Sequence, residues 1–151
     1  MFAEHMVGGL DANRLRLIAA RAIAVRRLIE GTTFPELVAE LSNTYGVPLR
    51  AAFGVALRVF RAGGLTKDAI YLRGLVELLD YLAAGGAIEP LLIGKIALEQ
   101  VALVEELVQR QTLRAPLLRP RWLDRPDSAA RLDRARSRLR PTDLVEDGVF
   151  A

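Results

Sequence analysis

Two polar pairs stand out beside the apolar stretches of this sequence: Arg58 with Arg61, and Lys67 with Tyr71. Members of the first pair sit about one helical turn apart at the end of the apolar run 49–60. Those of the second are similarly spaced in Thr66-Lys67-Asp68-Ala69-Ile70-Tyr71-Leu72-Arg73-Gly74, just past the break Ala62-Gly63-Gly64-Leu65. An ammonium, a carboxylate and a phenol at the mouth of an apolar helix face need partners, because burying them unpaired is costly. Either they cap, pair and brace the core, or they line a pocket. Chain geometry keeps the two guanidinium groups within reach of Lys67 and Tyr71, which makes a cationic, phenol-bearing patch.

Other chemistries are absent from the residue inventory. His5 is the single histidine and there is no cysteine. No two-histidine zinc motif, histidine triad or thiolate site can be assembled from such a set. Glu4-His5 is expected to be a surface pair. The glycine pairs at 8–9, 63–64 and 85–86 match neither dinucleotide nor phosphate-loop spacing and are expected to end helices.

The elements that would hold the patch are helical. Thr66 is a suitable N-cap and Asp68 suits the positive first turn of the helix it opens. That helix should stop at Gly85-Gly86. Leu72, Leu75, Val76, Leu78, Leu79 and Leu82 mark its buried side, and Arg73, Glu77 and Asp80 its solvent side. Upstream, Asp11 caps a helix running to about Glu30, with Leu15, Ile18, Ala19, Ala22, Ile23 and Ile29 apolar and Gly31 as its stop. Thr33 and Glu36 form a capping box for a helix ending near Thr44. A further helix over about 48–61 is apolar enough to be a core helix. The helix–turn–helix spacing around Tyr45-Gly46-Val47 therefore carries no base-reading side chains. Residues 97–111 read as a helix. Residues 87–95 are ambiguous between a short strand and a helical turn. Met1 to Val7 reads as the end of a helix, uncapped and too short to be stable alone.

Composition divides the chain unevenly. The net charge is +3, and hydrophobic residues make up 52% of the 151. Residues 1–111 carry 12 basic and 12 acidic side chains, whereas residues 112–151 carry 9 arginines against 6 acids. A neutral helical body, 1–111, is thus expected to precede a Pro/Arg-rich tail, 112–151. Pro116, Pro120 and Pro126 keep the start of that tail extended over the body, with Trp122 as its anchor. An arginine-rich, solvated helix is expected over 127–139, followed by a frayed last dozen residues. Aspartates interrupt the arginines, which argues against nucleic acid as a partner. No apolar run is long enough to span a membrane, and no basic leader precedes an apolar run. A cytoplasmic location is expected.

Three segments together resemble a known family: 3–10, 58–74 and Leu91-Leu92-Ile93-Gly94-Lys95-Ile96. They are similar in order and spacing to the C-terminal part of the flavohemoglobin expression-modulating QEGLA-motif proteins. That family is also described as a tyrosine/phenylalanine carboxypeptidase domain and is related to microtubule-associated tyrosine carboxypeptidases. The resemblance covers roughly residues 1–125, with Thr66–Gly74 its most specific part. It implies a zinc metallopeptidase whose histidine-pair motif and Gln-Glu-Gly-Leu-Ala motif lie upstream of anything matched here. Met1 to Val7 would then be the remainder of a ligand-bearing helix. It also implies that Arg58, Arg61 and Lys67 bind substrate beside the zinc site and that Tyr71 is catalytic. Cations would grip a terminal carboxylate, and a tyrosine hydroxyl would donate to the developing oxyanion.

The expectation is a mainly α, multi-helix domain, an incomplete C-terminal portion of a zinc metallopeptidase fold with an extended tail. It would carry substrate-side residues without the zinc motif and be inactive alone, since no metal, activated water or general base accompanies them. This chain would hold no cofactor, zinc being implied for the full-length family. Its partners would be a missing N-terminal catalytic portion or a self-associated copy, with a peptide C-terminus as substrate. The alternatives are a stand-alone helical binding module without catalysis and an arginine-tail interaction protein.

Overall fold

Asp11 accepts from the Arg14 amide at 2.7 Å and so opens the longest helix of a computed structural model that describes residues 1–64 and 66–145. Among the described residues there are seven α-helices, four short 3-10 turns and no strand. They are α1 (Phe2–Met6), α2 (Ala12–Ile29), α3 (Phe34–Asn43), α4 (Leu49–Phe60), α5 (Lys67–Ala83), α6 (Val101–Gln109) and α7 (Pro126–Ala135). No described helix is long and apolar enough to cross a membrane. The chain divides into two units, one formed by Leu10–Gly74 with Val145 and the other by Met1–Gly9 with Leu75–Leu144.

In the Leu10–Gly74 unit the helix ends follow local chemistry. Glu36 accepts from the Thr33 amide at 2.9 Å and the Thr33 hydroxyl at 2.6 Å, which secures the start of α3. Gly31 and Gly46 adopt positive φ after α2 and α3, a conformation that costs glycine little. The core lies where α2, α3 and α4 pack together. Ala20 and Ala24 of α2 and Ala52 and Ala56 of α4 are all buried, and such small side chains let helix backbones come close. Leu37, Leu41, Val55 and Val59 fill the space around them.

Two expectations change here. The buried face of α2 includes Ala20, Ala24 and Val25, whereas Ile29 is 79% exposed at the helix end. Helix α4 is only half a core helix: Ala52, Val55, Ala56 and Val59 point inward while Leu49, Phe53, Leu57 and Phe60 are exposed. Its apolar content covers more of its circumference than the core can use.

The other unit is built on long-range packing that periodicity does not reveal. Helix α1 has five residues and survives because α7 packs on it. The Ser128 hydroxyl and Arg131 Nη1 both donate to the Met6 carbonyl, at 2.9 and 3.2 Å. His5 is accordingly buried and not a surface residue, while Glu4 pairs with the N-terminal ammonium at 3.3 Å. Leu75, Leu79 and Leu82 of α5 are buried as expected, but Val76 is 44% exposed. Residues 89–92 form a 3-10 turn, so the ambiguous segment is helical and not a strand.

The tail is more ordered than its composition implies. Residues 121–124 make a 3-10 turn around a half-buried Trp122, α7 buries Ser128 and Ala135, and Leu144 and Val145 are buried. Leu117 and Leu118, by contrast, are almost fully exposed and are not laid over anything. Residues 146–151, the end of the expected frayed segment, lie outside the described residues, as does Leu65.

Candidate substrate-side site

Helix α4 ends at Phe60, and the chain turns through Ala62, Gly63 and Gly64 before α5 begins at Lys67. The Gly63 amide closes the end of α4 by donating to the Arg58 carbonyl at 2.8 Å. The turn passes directly over the Arg58 side chain. A Cβ on Gly63 would fall 2.7 Å from the Arg58 carbonyl oxygen and 2.8 Å from its Cγ. One on Gly64 would strike the Arg58 guanidinium and come within 3.0 Å of Asp68 Oδ2, and Gly64 has φ +84°. Both positions therefore require glycine.

Beneath that turn lies an ion-pair cluster. Arg58 Nη1 donates to Asp68 Oδ2 at 2.6 Å, and Arg21 Nη1 of α2 stands 3.8 Å from Asp68 Oδ1. Asp68 is 3% exposed. A carboxylate so buried costs several kcal/mol unless it is paired, and two guanidinium groups and the first turn of α5 meet that requirement. Arg21 Nε is buried and finds no acceptor among the described residues. The cluster joins α2, α4 and α5 at one point.

Lys67 and Tyr71 flank this anchor on the exposed side of α5. The Lys67 ammonium lies 5.8 Å from the centre of the Tyr71 ring, a cation–π distance. Tyr71 is 48% exposed. Arg61 is the C-cap residue of α4, exposed and without an ion pair among the described residues. The structure thus brings Lys67 against Tyr71 and commits part of the Arg58 guanidinium to Asp68.

Sequence reasoning flagged Asp68 as a carboxylate in need of a partner but did not name Arg21 as a member of this cluster. The signal for Asp68 was present, since a carboxylate on the edge of an apolar face demands a cation. Nothing local distinguishes Arg21 from the other arginines of α2, because its pairing depends on how helices pack.

Among the described residues no three His, Cys, Asp or Glu side chains converge. His5 is buried near Arg131 and Arg134, whose charges oppose a cation there. These residues do not fit a zinc ion.

A family model described as microtubule-associated tyrosine carboxypeptidase matches residues 1–140. No curated protein and no solved structure matches the chain. The match includes the whole Arg58–Tyr71 region, and on that extent the chain belongs to the microtubule-associated tyrosine carboxypeptidase family.

Proposed function

We propose that this chain supplies the substrate-side residues of a zinc-dependent tyrosine/phenylalanine carboxypeptidase-like protein and does not hydrolyse peptides by itself. The observation that carries the reading is the exposed Lys67–Tyr71 pair, 5.8 Å from ammonium to ring centre, on a helix start anchored from below. In this reading Lys67 and Arg61 hold the terminal carboxylate of a peptide, as cations suited to that anion. The Tyr71 hydroxyl donates to the oxygen on which charge develops. Arg58 acts mainly by fixing the first turn of α5, and the N–H groups it does not give to Asp68 face the same carboxylate. In this reading zinc is held by residues other than those of this chain, and no hydrolytic step is assigned to it.

Calorimetric titration tests the reading. A short peptide ending in tyrosine should bind as the free acid and at least about tenfold more weakly as the C-terminal amide, a difference of about 1.4 kcal/mol. Lys67→Ala and Arg61→Ala should each remove most of that preference. Equal binding of acid and amide would overturn the substrate-side assignment. Release of tyrosine from the peptide by this chain with added zinc would overturn its inactivity alone.

A further inference from the structure

One face of α4 is apolar and uncovered. Leu49, Phe53, Leu57 and Phe60 recur at four- and three-residue intervals and are 65, 50, 39 and 38% exposed. Single exposed apolar residues are ordinary, but a continuous stripe marks an interaction surface. Leu49 and Phe53 also form one wall of a groove of about 360 Å³, with Phe34, Pro35 and Val38 of α3 opposite. The Phe34 ring meets Phe53 and Phe60 edge-on, with centres 5.2 and 5.5 Å apart, so the aromatic lining is preformed.

Charge along the far edge of the stripe selects the occupant. At 100° per residue, Arg50 and Arg61 lie within about 40° of Leu57, on the edge of the stripe away from Leu49. Both are exposed and have no ion pair among the described residues. The acids of α3 are already engaged: Glu36 accepts from Thr33, and Glu40 accepts from Arg27 at 2.7 Å. The unanswered charge at the rim is positive. A second copy is a poor match, because antiparallel pairing of two α4 stripes would set Arg50 against the other copy's Arg61.

We propose that the α3–α4 groove and the α4 stripe bind an amphipathic helix of another protein, with acidic residues flanking its apolar face. Helix-in-groove recognition uses anchors at i, i+3 or i+4, and i+7, the spacing that the stripe itself presents. The proposal shares Arg61 with the carboxypeptidase reading but none of its apolar anchors, so Phe53→Asp and Leu49→Ser test the groove without touching the residues of that reading.

The test uses two synthetic helical peptides of about four turns, identical in a leucine face and flanked either by glutamates or by lysines. Binding to the whole chain is followed by fluorescence anisotropy. The glutamate peptide should bind, and the lysine peptide at least about tenfold more weakly. Phe53→Asp should reduce glutamate-peptide affinity at least about tenfold, and Leu49→Ser provides a second, milder variant whose circular dichroism should match the parent chain. Arg50→Glu combined with Arg61→Glu should invert the peptide preference. Equal binding of the two peptides, or unchanged affinity in folded Phe53→Asp and Leu49→Ser, would overturn the proposal. So would concentration-dependent dimerisation abolished by these variants, which assigns the face to a second copy. Tight binding to phosphatidylserine vesicles without peptide binding would assign it to a membrane instead and likewise overturn it.

Discussion

Arg58 Nη1 and Asp68 Oδ2, 2.6 Å apart, tie the last turn of α4 to the first turn of α5 beneath Gly63 and Gly64. At 100° per residue, Lys67 and Tyr71 fall on the same side of Asp68, about 40° from each other. Drawing Asp68 inward therefore turns both of them outward together. The buried ion pair and the exposed polar pair are two consequences of one helix rotation.

Removing the carboxylate should release that rotation. Asp68→Ala leaves Arg58 and Arg21 facing each other without a counter-charge. Their side chains are 34 and 27% exposed, so water screens part of the penalty. A loss of about 1–3 kcal/mol is expected, less than for a fully buried pair. Tyr71→Phe, at a half-exposed ring, should stay within about 0.5 kcal/mol of the parent. Urea denaturation followed by circular dichroism separates the two; a neutral Asp68→Ala would show that the pair does not hold α5.

The Gly63–Gly64 turn predicts opposite signs for two identical changes. Gly64→Ala combines a positive φ with a clash against the Arg58 guanidinium, and about 1–3 kcal/mol of destabilisation is expected. Gly74→Ala lies inside α5 with nothing near its would-be Cβ. It should stabilise by about 0.5–1 kcal/mol, the ordinary helix preference of alanine over glycine. Melting temperatures that move the same way in both variants would contradict this account of the turn.

How much of this was legible in the sequence depended on whether the cause was local. The Asp11 cap, the Thr33–Glu36 box and the glycines after α2 and α3 act within a few residues, and the helix ends fall where those signals put them. Residues 58–74 carried the family resemblance and the candidate patch. The burial of His5 was not legible, because Ser128 and Arg131 lie more than a hundred residues away. Nor was the exposed half of α4, since so apolar a helix reads as core until its neighbours are known. Asp68 was visible as a charge in need of a partner, but Arg21 was one arginine among several.

Ser128 offers a direct probe of the long-range packing of α7 on α1. Its hydroxyl is buried and donates to the Met6 carbonyl at 2.9 Å, while Arg131 Nη1 donates to the same oxygen at 3.2 Å. Ser128→Ala alone should cost about 1 kcal/mol, because Arg131 still satisfies the carbonyl. Adding Arg131→Ala strands that oxygen, and the double variant should lose more than the sum of the singles. Hydrogen exchange of the α1 amides measures this locally. Additive losses would mean that the two donors do not back each other up.

His5 makes the packing of α1 on α7 sensitive to pH. Burial lowers its pKa below the usual histidine value, and the nearby Arg131 and Arg134 charges lower it further; the Leu144 and Arg131 carbonyls oppose the shift only in part. The folded chain therefore resists protonation that the unfolded chain accepts. Stability from this site is complete above the ordinary histidine pKa of about 6.5. It declines as pH falls from there towards the folded value, because the unfolded state then binds the extra proton. The carboxylates whose pKa values are lowered, Asp127 and Asp143 among them, titrate at more acidic pH and leave this window to His5. Denaturation midpoints measured from pH 8 to pH 5 should fall below about pH 6.5 in the parent chain and stay nearly level in His5→Leu. An equal decline in both would assign the acid sensitivity to other groups.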